Sequence, residues 1–342
     1  MIGCYIHHQG SGHLHRALSW AGLWARRRDE PVTGLSSAPA PPKWPGPWIH
    51  LPSDAPSQAP REPATGGLGD PTAGGALHWV PTRHAGLRRR MAMISAWIDQ
   101  TAPALLVVDI SVEVTLIARL HGVPVVVVAL PGDRRDPAHQ LGYQLSEAVV
   151  GFWPREAEGL LQRDDAGPAT QPLGGLCRFS PAVQTATPRT PVPGLRIAVL
   201  SGRGGGGIPA PAVAALRRGC PEAQVTVLGG TAAWREDPWP VLHAADFVVT
   251  AAGQNAVAEV AASRTPAVVM PQQRPHGEQH HLAEVLLRGS WPAVPAPRTD
   301  TPAAWRESVH QAAGLDASCW QHWTDGQAAV RFIELLDREI RP

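Results

Sequence analysis

The sequence is poor in lysine, cysteine and net charge, and each scarcity argues against a class of protein. Lys43 is the only lysine among 30 basic residues, a bias typical of a GC-rich genome, and the formal net charge is +1. So small an excess of positive charge argues against a nucleic-acid partner. The four cysteines include no C-x-x-C pair, so neither a zinc knuckle nor a disulfide framework is indicated and a reducing cytoplasm is expected; they are Cys4, Cys177, Cys220 and Cys319.

Long apolar runs are also missing. No run approaches the roughly 20 residues that a membrane-spanning helix needs. The stretch VPVVVVAL at 123–130 is far shorter and predicts a buried parallel strand. The chain opens on MIGCYI, which predicts a strand rather than a charged region ahead of an apolar segment, so we expect no signal peptide and a cytoplasmic location.

What the chain does contain is an alternation of strand-like and helix-like segments, which predicts an α/β fold with parallel, doubly wound sheets. Its 342 residues, 44% of them hydrophobic, allow about two domains. The many glycines and prolines, 34 and 36, predict long loops, chiefly at 31–75 and 164–193. The predicted strands include 2–7, 105–109, 123–130, 148–154, 195–202, 223–229 and 246–252, and the predicted helices include 14–27, 83–99, 113–122 and 210–218.

The most informative segment is 245–283, where a strand, a glycine turn, a short helix and a second strand follow one another. Gly253 ends the apolar run ADFVVTA and precedes the Ala-rich helical sequence AVAEVAAS. A helix that begins at such a turn directs unpaired N–H groups beyond the strand and favours an anion there. Glu259 lies six residues later and can accept hydrogen bonds from sugar hydroxyls, while Glu278 and Gln279 offer a second polar pair.

This segment resembles the nucleotide-sugar half of GT-B glycosyltransferases, specifically the MurG-like family 28. Two positions depart from the family pattern: Glu278 stands where Asp is usual, and Leu282 stands where Asn is usual, which removes a polar contact. An ordinary strand–helix–strand unit with surface polar residues is the alternative. The matching positions are Gly253, Glu259, Pro271, Glu278, Gln279 and Ala283.

The resemblance implies an α/β GT-B fold, in which two Rossmann-like doubly wound domains face a cleft. It implies an acceptor-binding domain at 1–165, a linker at 166–192, a nucleotide-sugar-binding domain at 193–325 and a terminal helix at 326–342 that packs back on the first domain. It also implies inverting transfer of a hexose-type sugar from a nucleotide-diphosphate donor, UDP-linked, to a hydroxyl acceptor that is lipid-linked or a natural product, without metal or cofactor. A nucleotide-sugar hydrolase or epimerase, or a non-catalytic binding subunit, are the alternatives on the same fold.

The first loop, HHQGSGHLHR at 7–16, holds the candidate base. Gly10 and Gly12 permit a tight turn and close approach to a ligand, although G-x-G alone is a weak signal. The loop resembles the first loop of MurG-like enzymes, and in inverting GT-B enzymes a histidine here acts as base or supports the acceptor. His13 is therefore the predicted general base, able to take a proton near neutral pH. A helix-capping or packing role is the alternative, and the other candidates are His7, His8 and His15.

Two further groups complete the predicted site. Asp109 ends the strand LLVVD, where ligands of open α/β sheets bind; it is predicted as a second catalytic residue, and capping of the next helix by Asp109 or Ser111 is the alternative. The loop SGRGGGG at 201–207 faces the donor diphosphate in the resembling family, unless it is a flexible surface turn. The predicted donor-binding residues in these glycine turns are Gly10, Gly12, Gly202, Arg203, Gly204, Gly205, Ala252, Gly253, Gln254 and Asn255.

Three further groups of residues suggest a function less specifically than the glycine turns and the first loop do. His276 and His280 have the i, i+4 spacing of helical metal ligands, but no H-E-x-x-H pattern is present and no metal is predicted. Trp44 and Trp48, with the arginines at 88–90, suggest either a peripheral membrane contact or, preferably, packing. The arginines at 134–135 suggest either a contact with an acceptor phosphate or a solvated loop.

Overall fold

A seven-stranded parallel sheet organises the first half of the chain. The computed structural model describes residues 1–54, 70–181, 194–202, 207–230, 232 and 235–340. The spatial order β3-β2-β1-β4-β5-β7-β9 is that of a doubly wound sheet, in which the order reverses between β1 and β4. The strands are β1 Ile2–Tyr5, β2 Val32–Ser36, β3 Trp48–His50, β4 Leu105–Asp109, β5 Val125–Ala129, β7 Ala148–Gly151 and β9 Thr170–Pro172, and β6 Gly132–Asp133 pairs separately with β8 Leu161–Gln162.

Helices cover both faces of this sheet, as the run of buried β-branched residues in β5 requires. The third of these helices begins at a serine cap, because Ser111 Oγ accepts a hydrogen bond from Val114 N at 3.3 Å. The next begins at Asp136, whose carboxylate accepts from His139 N at 3.0 Å. The helices are α1 Gly12–Arg28, α2 Ala85–Thr101, α3 Val112–Leu120 and α4 Pro137–Gln144.

A second parallel sheet, of five strands, organises the second half. Its order β11-β10-β12-β13-β14 is again doubly wound, with the reversal between β10 and β12. Its strands are β10 Arg196–Leu200, β11 Gln224–Leu228, β12 Phe247–Thr250, β13 Ala267–Val269 and β14 Ala293–Pro295. Its helices are α5 Ala210–Gly219, α6 Trp239–Ala244, α7 Gln254–Ser263, α8 Glu278–Arg288 and α9 Pro302–Ala313.

The last helix, α10 Ala328–Ile340, returns to the first sheet. It packs against α1, where Phe332 and Trp20 are both buried and their ring centroids lie 5.1 Å apart in an edge-to-face arrangement. The two sheets and this returning helix agree with the predicted GT-B architecture.

One sequence expectation, the bounds of the linker, needs correction. The predicted linker 166–192 begins inside the first sheet, because β9 pairs with β7 through Val149 and Thr170; residues 182–193 lie outside the described residues. The contacts of Trp44 and Trp48 agree with the preferred interpretation, packing rather than a membrane contact, whereas Arg88 and Arg89 are exposed. The indole N–H of Trp44 donates to Val32 O at 2.9 Å, that of Trp48 donates to Ala38 O, and Arg90 is fully buried.

No helix in the part of the chain that the structure describes is both long enough and apolar enough to cross a membrane.

Candidate active site

A cleft of about 930 Å³ lies where the carboxyl ends of the strands of both sheets face each other. Its walls come from the segments that follow β1, β4 and β5 in the first sheet and β10, β11, β12 and β13 in the second. Open α/β sheets bind ligands at these strand ends, and the volume is typical of a pocket for a small molecule. The cleft is therefore the candidate active site.

His13 and Asp109, which the sequence predicted separately, form one hydrogen-bonded pair in the cleft. His13 Nδ1 lies 2.8 Å from Asp109 Oδ2, and Arg16 NH1 donates to Asp109 Oδ1 at 2.9 Å. An ionised carboxylate can only accept, so the proton of the neutral imidazole resides on Nδ1 and Nε2 keeps a lone pair. Burial raises the pKa of Asp109, but Arg16 and then His13 outweigh it, and the pKa lies below its ordinary value.

The pair forms because β1 and β4 are neighbours in the sheet. Tyr5 is in register with Val108, so the segments that leave the two strands emerge side by side. Gly10 has a φ of 78°, in the left-handed region that favours glycine, and it turns the loop into α1. His13 and Arg16 lie three residues apart on one face of α1 and thus reach the two oxygens of Asp109.

His7 and His8, in the same loop, lack this arrangement. The rings of His7 and His8 are stacked, with centroids 5.0 Å apart, and His7 Nδ1 accepts from Gln9 N. Burial, followed by the charges of His13 and His8, lowers the pKa of His7 to about 3. His7 is therefore a much weaker base than an ordinary imidazole. Of these two histidines and His13, only His13 has a buried carboxylate within 3 Å.

The amino end of α7 forms the opposite wall. Asn255 Nδ2 donates to Gly12 O at 2.7 Å, and Gln254 Nε2 donates to Phe152 O, so this end of α7 is held against the first half of the chain. Thr250, at the end of β12, is fully buried, and its hydroxyl has no hydrogen-bond partner among the described residues. The helix dipole and this hydroxyl make the wall suited to an anion.

Gly253 has an ordinary negative φ, and the residue before it has the positive one. Gly253 has φ −72° and ψ 139° as the residue that caps α7, whereas Ala252 before it has φ 57°. A Cβ at Gly253 would meet only Gln279 Nε2, at 3.9 Å. Ala252 therefore makes the turn, and the close approach of a ligand remains the reason to expect glycine at 253.

The second glycine loop is described only at its ends. Gly202 lines the cleft, and a Cβ built there would meet nothing within 4 Å. Ser201 Oγ accepts from Ile208 N at 3.1 Å and draws the two ends together. The predicted donor residues Arg203, Gly204 and Gly205 lie outside the described residues.

Glu259 lines the cleft but is already paired. It is 8% exposed, and its Oε1 accepts from Arg178 Nε at 2.8 Å. Arg178 lies after β9 on the segment between the sheets, and its NH1 also donates to Glu236 O. Burial raises the pKa of Glu259, and Arg178 reduces but does not cancel that effect. Among the residues that the structure describes, only Oε1 of Glu259 has a hydrogen-bond partner, so Oε2 is the atom through which sugar hydroxyls could be bound.

Glu278 and Gln279, the second predicted polar pair, accept hydrogen bonds from different neighbours. Glu278 Oε1 accepts from Arg134 NH2 at 2.6 Å, an ion pair between the halves of the chain. Gln279 Oε1 accepts from Gln272 N at 2.8 Å. The suggested phosphate contacts find no support, because Arg134 is buried and engaged with Glu278, while Arg135 pairs with Asp133.

The histidines considered for a metal are separated by a break in the helix. His276 has φ 57° in a 3-10 turn, Pro275–Gly277, and α8 begins only at Glu278. The i, i+4 relation to His280 is therefore absent. His276 instead lies beside His78 and His139, two residues that sequence reasoning missed. It also missed Arg16 and Arg178, and it did not anticipate the pairing of Arg134 with Glu278.

Comparisons with known proteins support the architecture. No protein-family model matches the chain, and no curated protein matches it significantly. Among solved structures it is similar to the glycosyltransferase of kitacinnamycin, with 17% identity, a TM-score of 0.68 and 99% of each chain covered. Acinetobacter baumannii MurG is 15% identical to it, with a TM-score of 0.64, and the match covers 98% of this chain and 99% of MurG. Phytolacca americana UGT2, complexed with UDP-2-fluoro-glucose and pterostilbene, is 13% identical to it, with a TM-score of 0.65 and 99% of each chain covered.

These similarities establish the GT-B fold for the whole chain. They extend to MurG and to other GT-B glycosyltransferases alike, so the narrower family 28 resemblance remains an interpretation of the motifs.

Proposed function

We propose that this protein is an inverting glycosyltransferase that moves a hexose-type sugar from a UDP-linked donor to a hydroxyl acceptor. The observation that carries the proposal is the contact between the two walls of the cleft. Asn255 on α7 donates to the carbonyl of Gly12, the residue directly before His13. A base paired with a carboxylate thus lies next to a helix end suited to a diphosphate.

In the proposed reaction His13 Nε2 accepts the proton of the acceptor hydroxyl. The acceptor oxygen forms a bond to the anomeric carbon as the bond from that carbon to the diphosphate oxygen breaks, and the electron pair leaves with the diphosphate. Attack opposite the leaving group inverts the anomeric configuration. Asp109 holds the ring through Nδ1 and stabilises the imidazolium that forms, and the buried Arg16 keeps Asp109 ionised.

The developing charge on the diphosphate is proposed to be stabilised by the amino end of α7, the backbone near Gly202 and the Thr250 hydroxyl. These groups supply hydrogen bonds and a dipole without a metal ion, so the chemical step is assigned to protein groups alone. The donor ribose is assigned to Glu259, whose second oxygen is directed by the pairing with Arg178.

The choice of a UDP-linked donor rests on the resemblance and on UGT2, which is described in complex with UDP-2-fluoro-glucose. The acceptor end of the cleft has an apolar part formed by Trp79, Leu87 and Met91 beside the histidines. We therefore propose an acceptor with an apolar body and a reactive hydroxyl, as a natural product has.

A thermal-shift screen of sugar nucleotides tests the donor first. A donor at about 100 times its dissociation constant should stabilise the protein by roughly 2.7 kcal/mol. The stabilising donor is then incubated with and without a panel of hydroxylated apolar acceptors, and the anomeric configuration of the product is read by NMR. Failure of every sugar nucleotide to bind overturns the proposal. Sugar release that is equally fast without acceptor indicates a hydrolase instead.

A further inference from the structure

Three histidines from distant segments converge at the edge of the cleft. His78 lies on the loop before α2, His139 lies in the first turn of α4, and His276 belongs to the 3-10 turn before α8. One ring nitrogen of each lies within 4.8 Å of the other two. The first two come from the first half of the chain and the third from the second half. In the part of the chain that the structure describes, no other group of three such side chains reaches this proximity.

Each of these rings has one nitrogen next to an oxygen acceptor. His139 Nδ1 lies 2.5 Å from Asp136 Oδ2, and His78 Nε2 lies 3.1 Å from Asp136 Oδ1. His276 Nδ1 lies 3.2 Å from the carbonyl of Asp133. A histidine that binds a metal usually donates its other ring N–H to such a carboxylate or carbonyl. The acceptors therefore leave His78 Nδ1, His139 Nε2 and His276 Nε2 as the ligand atoms.

Two adjustments accompany binding. Ligand nitrogens around a tetrahedral zinc ion at 2.0–2.1 Å lie about 3.3 Å apart, so the three rings must turn and move closer to one another when the ion binds. Arg134 NH1, now 3.2 Å from His139 Nε2, must also move aside. Arg134 retains Glu278 and the carbonyl of Pro131 as partners, so it is not left without a counterion.

We propose that His78, His139 and His276 bind a divalent transition-metal ion of the zinc class, oriented by Asp136 and the Asp133 carbonyl. The ion would join the two halves of the chain at the cleft. None of its ligands belongs to the groups assigned to proton transfer or to the diphosphate. The ion would therefore link the two domains without taking part in the reaction. This proposal does not depend on whether the proposed transferase reaction is correct.

The test titrates zinc into the full chain after treatment with EDTA and removal of the chelator, followed by isothermal titration calorimetry. Cobalt absorption then reports nitrogen coordination. One zinc ion is expected to bind tightly to each chain, and its binding should raise the unfolding temperature. Absence of a tight equivalent from the unmodified chain overturns the proposal.

The variants are chosen to keep the backbone intact. His276→Asn suits the left-handed φ of 57°, and His139→Ala removes the most buried ligand. Both should lose the tight equivalent, whereas the matched control His280→Ala, four residues along, should keep it. Asp136→Asn preserves the helix cap but removes the charge, and it should weaken zinc binding about 10–100-fold.

Retention of the tight equivalent in His276→Asn, or its loss in His280→Ala, contradicts the assignment. If His139→Ala fails to fold, His276→Asn decides the question alone, because its ring is 31% exposed and lies on a surface turn.

Discussion

The pairing of His13 with Asp109 can be tested with a double-mutant cycle. His13→Ala removes the proposed base and should lower turnover by about 10²–10⁴, or roughly 2.7–5.5 kcal/mol at 1.36 kcal/mol per tenfold change. Asp109→Asn keeps the shape of the side chain but removes the charge that favours the imidazolium. If Asp109 acts only through His13, its substitution should cost little more once His13 is gone.

The stability of the variants follows from burial. Asp109 is 4% exposed and Arg16 is 7% exposed, so Asp109→Asn leaves a buried guanidinium without its carboxylate partner. Breaking such a pair costs about 3–5 kcal/mol, a large share of a typical stability of roughly 5–15 kcal/mol. His13→Ala leaves the Arg16–Asp109 pair in place, and its free energy of unfolding should change far less.

The assay measures kcat and KM for the two single variants and the double variant, each after its folded fraction has been determined by urea unfolding. Donor binding, measured separately by calorimetry, should be nearly unchanged in His13→Ala, because the donor residues lie on the other wall. Strictly additive losses in turnover would refute the reasoning, since they would mean that Asp109 supports the reaction independently of His13. Full activity of His13→Ala would make this histidine a structural residue.

Three other outcomes are expected. Glu259→Ala should weaken donor binding by about 1.5–3 kcal/mol by calorimetry, more than Arg178→Gln does, and unchanged donor affinity in the folded variant would exclude the ribose role. Gly253→Val should fold normally, because φ is −72° and a Cβ there meets no atom closer than 3.9 Å, yet it should abolish donor binding; normal binding would place the ligand elsewhere. Because the pKa of Asp109 is lowered in the folded protein, its ionisation stabilises the fold above about pH 4, and this stabilisation is lost as the pH falls further. The difference in unfolding free energy between wild type and Asp109→Asn should therefore shrink in acid. A constant difference would contradict the pairing.

The elements of the sheets could be predicted because hydrophobic periodicity is local. The strand at 105–109 is observed at Leu105–Asp109, and the helix at 210–218 is observed at Ala210–Gly219. The strand β9 was missed because its three residues, Thr-Gln-Pro, carry no apolar pattern. Its place in the sheet comes from pairing with β7, which no local signal records.

The geometry of the candidate site could be predicted only in part, for a related reason. His13 and Asp109 were proposed one by one, since each follows a strand and ligands gather at such ends. That they touch depends on β1 and β4 being neighbours, which is a property of the topology. The ion pairs of Glu259 with Arg178 and of Glu278 with Arg134 join residues that are 81 and 144 positions apart. The sequence around either glutamate therefore does not indicate its partner.

The histidines illustrate how a local pattern can mislead. The i, i+4 spacing of His276 and His280 has meaning only if both residues lie on one helix. Pro275 and Gly277 interrupt the helical path, His276 takes a left-handed conformation, and its ring turns toward the first half of the chain. There it meets a loop histidine and a histidine whose helix is capped by Asp136, the same carboxylate that orients both rings. These three histidines are thus brought together by the packing of the two halves of the chain, which spacing along the sequence does not record.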